Sequence, residues 1–122
     1  MTYAIEWRKF GTVTQFAGTV TFEEVLQAER EITGHTRYTE LWYVVFDFSH
    51  TQYPEVTESE TIYLLALRLG GFWSNPRIKF AFVTDDWKLK NAIEKSVFDG
   101  QALHATQVFK TMVDAMAWAT VL

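Results

Sequence analysis

Apolar and polar positions alternate from Tyr3 to Lys9. Tyr3, Ile5 and Trp7 fall on one side and Glu6 and Arg8 on the other, the period-two signature of a half-exposed strand. Phe10-Gly11 marks a turn, and the β-branched and aromatic run Thr12 to Ala17 predicts a second strand, paired with the first as an antiparallel hairpin and closed by Gly18. At Thr21 the period changes. Thr21-Phe22-Glu23-Glu24 has the form of a capping box, and Phe22, Val25, Leu26 and Ile32 then recur at helical spacing. Glu23, Arg30 and Glu31 fill the wet face, and Gly34 is a natural stop. Leu41 to Phe48 is apolar on both faces as far as Asp47, which predicts a central strand covered on both sides. Ser49 to Pro54 reads as a loop.

Thr57, Glu60 and Ser59 offer caps for a second helix, in which Ile62 to Leu69 is apolar almost all round. Gly70-Gly71 ends or bends it, Phe72-Trp73 follows, and Asn75-Pro76 marks a turn. Arg77 to Thr84 predicts another buried strand, with Ile78, Phe80 and Phe82 opposite Ala81 and Val83. Thr84-Asp85-Asp86 caps a helix carrying Trp87, Leu89, Ile93 and Val97, which Asp99-Gly100 stops. His104 to Phe109 is a last short strand, and Thr111 with Asp114 opens a final helix carrying Met112, Ala115, Met116, Trp118 and Leu122. The order β-β-α-β-α-β-α-β-α predicts an α/β fold. A mixed sheet of four or five strands has helices on both faces, parallel pairing through right-handed crossovers, and an antiparallel first strand.

Composition narrows the classes. The 122 residues suit one domain, 1–122, with no linker, repeat or low-complexity tract. Size scaling gives a folded surface of about 6,800 Å² against about 20,600 Å² unfolded, enough burial for one core. The absence of cysteine excludes disulfides, thiol nucleophiles and cysteine-ligated metals. A net charge of −4 argues against a nucleic-acid partner. No apolar run is long enough for a membrane span, and the start, with Glu6, Arg8 and Lys9, has no signal core, so a cytoplasmic location is expected. Ten Phe, five Tyr and five Trp remain to be placed. Trp42, Phe46, Phe48, Phe80 and Phe82 belong on the central strands, and Phe22, Trp87 and Trp118 on helices closing the two faces.

Three segments carry a family likeness: GTVTFEEV at the first helix, LWYVVFDFS on the central strand with Asp47 and Ser49 at its end, and VFKTMVDAMAWA with Phe109, Ala115 and Trp118. Together with the order of elements, they resemble the STAS domain. The nearer likeness is to its SpoIIAA-like branch, whose overall similarity extends to lipid-binding domains of the SEC14 type. The resemblance implies a non-enzymatic regulatory module. In phosphorylation-switched STAS domains a serine in an Asp-Ser or Ser-Ser-Gly type motif opens the second helix and takes the phosphate. Here the stretch reads HTQYPEVTESETIYLL, where Ser59 is the positional match and Glu55, Glu58 and Glu60 would repel a phosphoryl group.

Candidate chemistry is sparse. Open α/β sheets bind ligands at the carboxyl ends of their strands, which here gather Asp47, Ser49, His50, Asp85, Asp86 and Lys110. One reading is an acidic, metal-assisted phospho-acceptor site at Asp47, Asp85 and Asp86; the competing one is that these aspartates cap helices and bond loop amides. Asp47, Ser49 and His50 lack a nucleophile elbow and are too close in sequence to form a triad readily. His35, His50 and His104 have no metal-ligand spacing, and no metal or cofactor is implied. Gly70-Gly71 follows a helix, so it is a helix stop and not a phosphate loop. The segment Ile62 to Trp73 has more apolar surface than one face of a sheet can cover. Ile62, Leu65, Leu69, Phe72 and Trp73 are therefore expected to form a homodimer or protein-partner interface, or alternatively to line a site for a small apolar ligand or lipid.

Overall fold

The β1–β2 hairpin forms where the alternation predicts it. β1 (Tyr3–Trp7) and β2 (Gly11–Gly18) pair antiparallel from Tyr3 opposite Phe16 to Trp7 opposite Thr12, and the Arg8 N–H donates to the Gly11 carbonyl at 2.8 Å. The computed structural model describes residues 3–51, 75–98 and 105–121. These contain three further strands, β3 (Tyr43–Thr51), β4 (Lys79–Val83) and β5 (Ala105–Phe109). They also contain helices α1 (Phe22–Thr33), α2 (Trp87–Phe98) and α3 (Met112–Ala119), and a 3-10 turn over Thr36–Glu40. The sheet order is β1-β2-β3-β4-β5, every pair after the first being parallel. The predicted mixed α/β sheet is thus present with five strands.

Parallel strands that advance in one direction place right-handed crossover helices on one face. Accordingly, Val25, Ala28 and Ile32 of α1 and Leu89 and Ile93 of α2 join the same core as Phe16, Val44, Phe46, Phe48, Phe80 and Phe82. Its centre is aromatic. Phe16 stacks on Phe48 at 4.6 Å, and Phe46 meets Phe16, Phe80 and Phe82 edge-on at 5.4, 5.2 and 5.9 Å. The alternate residues Val13, Tyr43, Val45, Ala81 and Val83 face the other way, where Ala115 and Ala119 of α3 pack on them with Met112, Met116 and Trp118 alongside. Gly11 is required here: the Tyr43 ring lies where a Cβ would stand.

Three expectations need correction. The central strand starts two residues later than the apolar run and continues through Ser49, His50 and Thr51, which the pattern assigned to a loop. An irregularity between Gln15 and Ala17 lets β2 keep pairing, with Ala17 opposite His50 and Gly18 opposite Thr51. Trp42 therefore precedes the strand and is half-buried. Trp87 does not close a face. It is 66 % exposed because α2 turns the Leu89–Ile93 row inward, and a residue two positions before Leu89 lies on the opposite side. The second helix of the sequence reading, with Ser59, Ile62, Leu65, Leu69, Phe72 and Trp73, lies outside the described residues, as do Asp99-Gly100 and His104.

Candidate functional site

Asp47 stands in register between Gln15 of β2 and Val83 of β4, on the α3 face near the carboxyl ends of the strands. It is 1 % exposed. Its Oδ1 accepts the Ser49 N–H at 2.9 Å, an Asx-type bond two residues on, while Oδ2 has no hydrogen-bond partner. Beyond β4, the Thr84 N–H donates to the Phe109 carbonyl at 2.9 Å. Thr84 Oγ1 accepts the Asp86 N–H at 3.1 Å, and Asp86 Oδ1 accepts the Lys88 N–H at 2.9 Å, so Asp86 caps the start of α2. Asp85 is exposed.

The strand-end residues therefore stand in different environments. Asp47 lies beneath the surface, Asp86 holds a helix end, and Asp85 meets solvent. Among the described residues, no three His, Asp or Glu side chains gather as a cation site. The register advances two residues on β2, from Gln15 to Ala17, but three on β3, from Asp47 to His50, so an extra residue interrupts the alternation of β3 at Ser49. Asp47 engages the backbone of Ser49, not its hydroxyl.

Sequence reasoning missed a surface on α2. An open groove of about 370 Å³ runs between this helix and the edge strand β5, with Ile93, Val97 and Phe98 on one wall and Val108 on the other. Phe98 is 90 % exposed at its end. The only signal in the sequence was that Val97-Phe98 extends an amphipathic helix past its last core contact at Ile93.

No family model matches the sequence, and no curated protein does. Solved structures do match in three dimensions. The unphosphorylated anti-sigma factor antagonist SpoIIAA superposes with a TM-score of 0.63 at 11% identity over 98% of this chain and 99% of its own. An anti-sigma factor antagonist from Mycobacterium paratuberculosis gives 0.58 at 12% identity, over 97% and 92%. An uncharacterised Shewanella loihica protein with a SpoIIAA-like fold gives 0.58 at 15%, over 96% and 91%. At these identities the likeness is one of fold: the chain has the SpoIIAA-like, STAS-type architecture that its three segments resemble. No helix among the described residues is long and apolar enough to cross a membrane.

Proposed function

We propose that the chain is a non-enzymatic regulatory module that works by binding protein, as a homodimer or with a protein partner, through Ile62, Leu65, Leu69, Phe72 and Trp73. The observation that carries this reading is the end-to-end match in fold with SpoIIAA, an anti-sigma factor antagonist whose structure is known in unphosphorylated and phosphorylated forms. It is joined by the strand-end aspartates Asp47 and Asp86, both engaged in backbone bonds. Ser59 is the position at which a phosphorylation switch would act.

Light scattering on the eluting protein tests the interface. The wild-type chain is expected to run at twice its 14.2 kDa mass at micromolar concentration, and Leu65→Glu and Leu69→Glu to fall to the single-chain mass. A wild type that already runs as a single chain removes the homodimer. Native mass spectrometry of the purified protein separates the second class of function: a copurifying apolar molecule would favour a ligand-lining role for the same residues.

A further inference from the structure

Because β2 to β5 are parallel, their first residues Gly11, Tyr43, Lys79 and Ala105 stand in register at one end of the sheet, opposite Asp47, Asp85 and Asp86. The β1–β2 turn brings Arg8, Lys9 and Phe10 to that end. The 3-10 turn is tied to it: the Trp42 N–H donates to the Phe10 carbonyl at 2.7 Å, and Arg37 Nη2 donates to the carbonyls of Arg8 and Lys9 at 2.7 and 3.2 Å. Asn75, buried, donates through Nδ2 to the carbonyls of Tyr38 and Leu41, both at 2.8 Å, and so draws in Arg77. Arg8, Lys9, Arg37, Arg77 and Lys79 thus share one pole with two acidic residues of the joined segments, Glu6 and Glu40.

Among the described residues, only one of these cations has an acidic partner. Arg8 pairs with Glu6 at 3.0 Å, whereas Lys9, Arg37, Arg77 and Lys79 make no ion pair among the described residues. Each of the four instead sits over an aromatic ring. Lys9 Nζ is 5.3 Å from the Phe10 centroid, Arg37 Cζ 5.5 Å from Trp7, Arg77 Cζ 4.1 Å from Trp42, and Lys79 Nζ 5.3 Å from Trp118. A ring orders the side chain without cancelling its charge. A guanidinium lying on a ring also keeps in-plane N–H donors that match a planar carboxylate. Lys79 also donates to the carbonyls of Trp118 and Val121 at the end of α3. In a chain of net charge −4 this pole opposes the average sign.

We infer that this end of the sheet is a docking surface for an acidic peptide segment of a partner protein. An extended polyanion or an anionic bilayer would also face the acidic remainder of the molecule. A short acidic segment meets the pole alone, since charges beyond a screening length of about 10 Å count little at ordinary salt. The inference does not depend on the interface proposed for Ile62 to Trp73.

Fluorescence anisotropy with a labelled decaglutamate peptide and the full chain, at about 50 mM salt, tests the assignment. Binding that weakens with salt is expected. The double variant Lys9→Glu/Arg77→Glu should bind about tenfold more weakly or worse. Lys88→Glu/Lys90→Glu, with the same change in charge on α2 at the other end, should bind within about twofold of wild type. Equal losses in the two variants, absence of wild-type binding, or tighter binding to oligothymidylate or phosphatidylserine vesicles would each overturn the proposal. A readout without mutation guards against a misfolded variant. The peptide should shift amide resonances at residues 8–10, 37–42 and 77–79 of the wild-type protein, and shifts confined to other regions count against the pole.

Discussion

Thr12 and Thr14 are fully buried on β2, and neither hydroxyl has a hydrogen-bond partner. They occupy inward positions for their β-branched shape, Thr14 lying between Ile5 of β1 and Phe46 of β3. An unsatisfied buried hydroxyl is costly, and valine has the same outline without it. Thr14→Val should therefore raise stability by about 1 kcal/mol, or roughly 4 °C in melting temperature, while Thr14→Ser, which keeps the hydroxyl and loses the methyl, should lower it. Thermal melts of the two variants check this, and a stabilising Ser would contradict it.

Tyr3 gives a pH test. Its hydroxyl donates to Glu31 Oε1 at 3.0 Å, and burial first, then this hydrogen bond and the charges of Glu31 and Glu24, raise its pKa above the ordinary 10.0. The folded state thus favours the neutral phenol. That contribution is fully present below the unfolded value near 10 and is lost as pH climbs through the higher folded value. Denaturant midpoints should show wild type ahead of Tyr3→Phe at about pH 8, with the gap closing above about pH 10. Local sequence rules are reliable at this scale. Thr21 caps α1, accepting the Glu24 N–H at 3.4 Å while its hydroxyl donates to Glu24 Oε1 at 3.2 Å, and Thr111 caps α3 by accepting the Asp114 N–H at 3.2 Å. Caps are legible because every atom involved lies within four residues.

For whole elements, legibility depends on how far apart the determinants lie. Parallel pairing and the buried centre of β3 follow from Leu41 to Phe48 alone, since a run that is apolar on both faces needs cover on both. Its continuation to Thr51 does not, because it depends on how β2 pairs past Gln15. Trp87 shows the opposite failure. Its aromatic side chain suggested the core, but the phase of α2 is fixed by Leu89 and Ile93. The basic pole was least legible of all. Lys9, Arg37, Arg77 and Lys79 are scattered along the chain, and only the parallel register and the ties of Asn75 and Arg37 bring them to one end. A net charge of −4 is an average that conceals such a cluster.

At the level of the whole molecule, the two cores are opposite faces of one sheet. Phe46 belongs to the aromatic face and its neighbour Val45 to the α3 face. The side chains alternate along a strand whose backbone bonds serve both, so neither face can lose β3 without exposing the other. We propose on this ground that residues 1–122 unfold as one cooperative unit. Phe46→Ala should cost about 3–5 kcal/mol and Val45→Ala about 1–3 kcal/mol. At roughly 4 °C per kcal/mol, the first lowers the melting temperature by about 12–20 °C and the second by about 4–12 °C. Both should move a single transition, followed alike by far-ultraviolet circular dichroism and by tryptophan fluorescence, in which Trp118 reports from the α3 side and Trp7 from the edge of the aromatic core. If Val45→Ala instead split off an early fluorescence step while the dichroism held, the α3 face would be an annex that melts on its own. The Lys79 bonds to the carbonyls of Trp118 and Val121 would then open with it, and one cation of the basic pole would lose its anchor.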